Sequence, residues 1–200
     1  MEERRERADA ARNRRAILAA AEELLRRNDP DQVSIEDVAA AAGVGKGTVF
    51  HRFGSRAGLM RALMEERVLA LHEAIASGPP PLGPGAPPGE RLQAFLDAVV
   101  RHVAGNIGLL TAHEHALATQ RHAEGRREAN PVYLFWHGHV SALIAEARPA
   151  LDADLLAHVL LGSLHADSVV RMLWRGEADR LAAGMRVLVS GLLGPSGGET

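Results

Sequence analysis

Cysteine is absent from this 200-residue chain. Disulfides, thiolate metal sites and cysteine nucleophiles are therefore excluded, and the composition suits a reducing compartment. Aromatic residues amount to only 4%, so aliphatic side chains must fill the core. No run approaches the ~20 consecutive apolar residues of a membrane-spanning helix. The start, charged from Glu2 to Arg7, lacks the apolar stretch of a signal peptide. A cytoplasmic protein without a membrane partner is the expectation. Also missing are an HExxH pair, a nucleophile elbow and a phosphate loop, so neither enzyme chemistry nor a cofactor is expected. Lysine is nearly absent: Lys46 is the one lysine among 23 basic residues.

The most informative absence is local. From Val38 to Met64 there is no Asp or Glu, although the chain carries 25 acids against 23 bases. Lys46, His51, Arg52, Arg56 and Arg61 all fall inside that run. A surface that approaches a polyanion benefits from shedding carboxylates, which repel phosphate, and from basic groups, which release condensed counterions. Residues 1–64 hold 12 bases and 10 acids (+2), and residues 65–200 hold 11 bases and 15 acids (−4). A basic head and an acidic body are hidden in a formal net charge of −2.

What is present is globular and helical. Hydrophobic residues make up 46% and charged ones 24%, enough for one large or two small domains with a core. Ile17, Leu18, Ala21, Leu24 and Leu25 share one face of a helix over about 9–27. Ser34, with Asp37 three residues on, reads as a capping box for a second helix that ends at Gly43. A third helix is predicted over 45–53, with Val49 and Phe53 inward. Gly54 breaks it, and Ser55 caps a fourth running to about Ser77. Residues 77–90 hold six prolines and four glycines and read as a flexible or polyproline-like loop outside the core. Helices are predicted again at 90–104, 107–123, 131–147, 152–175 and 177–193, about nine in all, with no strand.

Ala42-Gly43-Val44-Gly45, Gly47-Thr48-Val49-Phe50-His51-Arg52-Phe53 and Ser55-Arg56-Ala57-Gly58-Leu59, with the apolar first helix, resemble the DNA-binding domain of TetR-family transcriptional regulators over about residues 12–60. The resemblance implies an all-α fold with a helix-turn-helix DNA-binding domain at 1–54. A helical ligand-binding and dimerisation domain at 55–200 would follow, with the Pro/Gly-rich loop at 77–90. Three positions depart from the family pattern: Phe50 stands for Tyr, Arg52 for His or Tyr, and Gly45 for a Ser cap. A recognition helix enters the major groove by its N-terminal end. Lys46 there is a candidate guanine reader, Gly47 permits close approach, and Thr48 suits a phosphate or a thymine methyl. Phe50 offers an apolar surface to a sugar or thymine methyl, and Glu36 could accept from cytosine. Ser34, His51, Arg52 and Arg56 are the expected backbone contacts. The GVGKGT string is not a nucleotide loop, because Gly47 rather than Ser or Thr follows Lys46 and a helix precedes it.

For the body, the resemblance implies a two-fold homodimer on a palindromic operator. Leu156, Val159, Leu160, Ser163, Leu164 and Val170, with Leu181, Met185, Leu188, Val189 and Leu192, are the candidate seam. It also implies a pocket for an unknown small-molecule effector, with Phe95, Val99, His102, Leu117, Trp136, His139 and Leu143 as candidate liners. The expected function is a regulator, most often a repressor in this family. The alternative is a helical small-molecule-binding or interaction protein without sequence-specific DNA binding. No metal is expected from single helices: His113/His115 and His137/His139 are two residues apart and point to different faces, and His158 and His165 stand two turns apart.

Overall fold

A computed structural model of the chain describes residues 2–111 and 130–194. Among these, nine α-helices and no strand occur. They are α1 (Glu2–Arg27), α2 (Ile35–Ala41), α3 (Lys46–Phe53), α4 (Arg56–Ser77), α5 (Pro88–Thr111), α6 (Pro131–Ala147), α7 (Ala153–Ser163), α8 (Asp167–Trp174) and α9 (Ala178–Leu193). The chain divides into two compact units, one holding residues 1–67 with the end of α5, the other running from Val68 through Ile107 and holding α6–α9. Leu59, Met60 and Leu63 of α4 belong to the first core, and Leu71 and Ile75 to the second. Residues of α4 thus contribute to both cores.

The first unit is built around Ile17, Val38, Val49 and Leu59, all fully buried. Asn28 ends α1 by donating its Nδ2 to the Leu24 carbonyl at 2.9 Å. Ser34 opens α2 as a true capping box: its Oγ accepts from the Asp37 amide (3.1 Å), and the Asp37 carboxylate accepts from the Ser34 amide (3.1 Å). Two of the orphan donors at the helix start are thereby satisfied. Gly43, at φ +66°, makes the turn into α3, a conformation a β-carbon disfavours. Ser55 caps α4 by accepting from the Gly58 amide at 3.0 Å.

The second unit centres on Phe95, Leu96, Val100, Val140, Ile144, Leu161 and Val189. Two predicted boundaries are corrected here. The helices expected at 90–104 and from 107 are one continuous α5. Exposed Gly105 does not break it, and buried Asn106 bonds His102 Nε2 across one turn at 2.9 Å. Conversely, the single helix expected over 152–175 is two, α7 and α8, bent by 47°. Ser163 Oγ donates to the Leu160 carbonyl at 2.7 Å. The amides of Leu164, His165 and Ala166 turn back three residues to Leu161, Gly162 and Ser163. A Gly-Ser pair with such back-bonding is a recognised cause of a kink. The loop over 77–90 is also tighter than expected: the Gly83 amide bonds the Pro79 carbonyl at 3.0 Å, and Leu82 packs against the core. The part of the predicted 107–123 helix beyond Thr111 lies outside the described residues. No single helix among those described is long and apolar enough to cross a membrane.

Candidate nucleic-acid interface and effector site

In α3, Val49 is buried and anchors the helix, which turns Lys46, Gly47, Phe50 and His51 to solvent; Thr48 is partly covered. Nothing lies within 4 Å of the place a Gly47 side chain would occupy, so the backbone there is open to close approach. Phe50 is 42% exposed, and the Lys46 ammonium sits 5.5 Å from its ring centroid. Arg52 is half-buried, and its Nε has no hydrogen-bond partner.

Four of the residues have other engagements. Lys46 Nζ forms an ion pair with Glu36 Oε1, from the first turn of α2. That bond, more than any other influence, holds the Glu36 carboxyl below its ordinary pKa. The two expected base readers therefore meet each other in the free protein. Ser34 Oγ donates to Asp37 Oδ2 at 2.5 Å, which lowers the Asp37 pKa. The Ser34 hydroxyl is thus committed to a cap beside a negative charge, which disfavours the phosphate contact expected of it. Arg56 donates its Nε to the Val33 carbonyl at 3.0 Å, tying the start of α4 to the segment before α2.

The Glu36–Lys46 pair is exposed and offers little stability, yet it masks a cation that DNA would use. Glu36→Gln is therefore expected to strengthen binding to random duplex severalfold. It should also steepen the salt dependence, by about 0.9 per newly engaged phosphate. Fluorescence anisotropy across a salt series checks this, and weaker binding would assign Glu36 a positive role at the DNA.

The candidate effector residues come together on two facing helices of the second unit. Phe95, Val99, Trp136 and Leu143 are buried in its core. The Phe95 ring meets Trp136 edge-on at 6.3 Å and His139 at 4.9 Å, and His102 meets Trp136 at 5.5 Å. Leu117 lies outside the described residues. Several polar atoms buried here have no partner among the described residues: Trp136 Nε1, His139 Nε2 and Arg91 Nε. Burial, followed by the charge of Arg91, pushes the His139 pKa down to about 4, and burial lowers that of His72 too. In the unfolded chain His139 takes a proton near pH 6.5, whereas the folded chain resists it until about 4. Its contribution to stability is thus complete above pH 6.5 and is lost as the pH falls through that window. His139→Gln is expected to shrink the difference in unfolding free energy between pH 7 and pH 5, measured by urea denaturation.

The candidate seam is only partly available. Leu160, Leu164 and Met185 are 7%, 1% and 3% exposed inside their own chain's core, because they occupy the inward stripes of α7, the α7–α8 bend and α9. Leu156, Ser163 and Leu192 are partly covered, and Leu188 is exposed. Val159, expected in the seam, is exposed with Leu155 one turn before it on α7, as is Val187 beside Leu188 on α9, whereas Val170 and Leu181 are partly covered and Val189 is buried. A one-residue step on a helix is about 100°, which exchanges the inward stripe for the outward one.

A three-helix head, with a glycine turn and an exposed base-rich helix over an apolar anchor, defines a helix-turn-helix protein of the DNA-binding class. Residues 17–63 match the family described as "Bacterial regulatory proteins, tetR family". The chain belongs to the TetR family of transcriptional regulators. It is 28% identical over 169 residues to the HTH-type transcriptional repressor LfrR of Mycolicibacterium smegmatis, spanning 84% of this chain and 67% of that protein. In fold it is similar to the TetR transcriptional regulator SCO0520 of Streptomyces coelicolor, with TM-score 0.54, 24% identity and coverage of 90% and 97% of the two chains. It is also similar to the transcriptional regulator FadR of Bacillus subtilis in complex with stearoyl-CoA, with TM-score 0.50, 20% identity and coverage of 87% and 96%.

Proposed function

We propose that this regulator is a cytoplasmic repressor that binds a palindromic operator as a two-fold homodimer and is released by a small molecule. The observation that carries the DNA part is α3 itself. Its exposed side presents Lys46, Gly47, Phe50 and His51 from a stretch with no carboxylate of its own. Lys46, Gly47 and Thr48 are the base-facing positions; His51 and Arg52 hold phosphates. Pairing of two copies through the outward stripes of α7 and α9, with Leu155, Val159, Val187 and Leu188, would supply the second half-site reader.

The effector is proposed to have an apolar body and a head that accepts hydrogen bonds. The supporting features are the aromatic and imidazole cluster around Phe95 and the unpartnered Arg91 and Trp136 nitrogens, both of which are donors. The stearoyl-CoA bound to the B. subtilis FadR is an acylated molecule of that general kind. The test is selection of bound duplexes from a random pool, repeated in the presence of fatty acids and acyl-CoA thioesters. Enrichment of an inverted repeat that an acyl compound then disperses is expected. An inverted repeat insensitive to all of them would remove the acyl reading while keeping the DNA one.

A further inference from the structure

A cluster of side chains on α6 and α7 is used by neither the DNA contacts nor the effector residues. Asp154 and His158 stand one helical turn apart on α7, the spacing that puts two ligands on one face of a helix. His137 reaches them from α6. The imidazoles of His137 and His158 lie with ring centroids 4.0 Å apart. His137 Nε2 is 3.6 Å from Asp154 Oδ1 and 3.2 Å from the Asp154 backbone carbonyl. One donor atom from each of the three residues falls within 4.8 Å of the others. Tyr133, a turn before His137 on α6, bonds His158 Nδ1 through its hydroxyl at 2.6 Å.

We propose that His137, Asp154 and His158 form a binding site for a divalent first-row metal ion of the zinc type. Two neutral imidazoles and one carboxylate are a borderline donor set, which favours zinc, nickel or copper over magnesium or calcium. Zinc bonds of 2.0–2.2 Å in tetrahedral geometry place ligand atoms about 3.3 Å apart. The cluster must therefore contract by roughly an ångström or so. The Asp154 side chain, 77% exposed, is able to swing, whereas that of His137, 14% exposed, is held. Tyr133 serves as the outer partner that orients a metal-bound histidine: by holding Nδ1 of His158 it leaves Nε2 for the ion. Three protein ligands leave a fourth position for water. The proposal is independent of the operator and of the effector.

The test uses the full-length, untagged protein, stripped with chelator and dialysed. Zinc is titrated against a chromophoric chelator, and cobalt is followed by its visible d–d absorption. One saturable site per chain is expected, with cobalt bands of four-coordinate intensity. His137→Ala and His158→Ala should each weaken binding at least tenfold with unchanged helical circular dichroism. Tyr133→Phe, which keeps the ring but loses the outer hydrogen bond, should weaken it by about 10–100-fold. His165→Ala, whose Nδ1 meets only the Leu161 carbonyl, should leave it unchanged. Zinc should raise the melting temperature of the unaltered protein and not of the His137→Ala, His158→Ala double variant. Absence of a saturable site, or undiminished one-site binding in that double variant, would overturn the proposal.

Discussion

Arg52→Ala is expected to weaken binding to operator and random duplex by similar factors, about tenfold for a dimer that loses two phosphate contacts. Arg52 lies in the last turn of α3 and is half-buried. The loss of one phosphate contact flattens the slope of log affinity against log salt by about 0.9. Because a phosphate contact positions without reading sequence, discrimination between operator variants should survive. Arg56 is a less clean probe. Its bond to the Val33 carbonyl means that Arg56→Ala also loosens the head, so a loss of affinity there would mix two causes. Binding isotherms over a range of salt decide the matter for Arg52: an unchanged slope would remove it from the phosphate-facing set.

The second large effect concerns the junction between α3 and α4. A β-carbon on Gly58 would stand 1.9 Å from the Phe53 carbonyl oxygen, which belongs to backbone and cannot rotate away. Gly58→Ala must therefore push the end of α3 away from the start of α4. Overpacking of this sort costs about 1–3 kcal/mol, which lowers the melting temperature of a small domain by roughly 10 °C. Because Val49 and Leu59 share one core, the displacement should also move the recognition helix and reduce operator binding. Gly47→Ala offers the contrast. Nothing crowds that site, so thermal stability should hold while close approach to DNA suffers. Differential scanning calorimetry of both variants separates the two roles, and an unaltered melting curve for Gly58→Ala would show that the junction relaxes.

The head was legible because its signals are local. The Ser34 cap, Gly43 turn and inward Val49 each follow from a residue type at a fixed offset, and the structure has all three. The body carried fewer such punctuation marks. Separate helices are expected at 90–104 and from 107, yet a single glycine between them costs only about 1 kcal/mol, and α5 runs through it. Ser163 is a candidate seam residue by its spacing, and its hydroxyl bond to Leu160 at the bend is one that no spacing rule announces. Leu160, Leu164 and Met185 face their own chain's core while other apolar residues of α7 and α9 face outward, so periodicity alone does not tell the core side from the open one. Pairs across elements were the least visible. Lys46 and Glu36 were each named for DNA, but their mutual ion pair spans a turn. The contact of His137 with His158 requires knowing that α6 and α7 lie side by side.

The most direct test is analytical ultracentrifugation of the intact protein with a selected inverted-repeat duplex, at low and at moderate salt. Two chains per duplex, or a multiple of two, are expected, held tightly at low salt and released steeply as salt rises. A duplex carrying one half-site should bind far more weakly. Failure to bind any duplex in the pool, or affinity indifferent to salt, would contradict it.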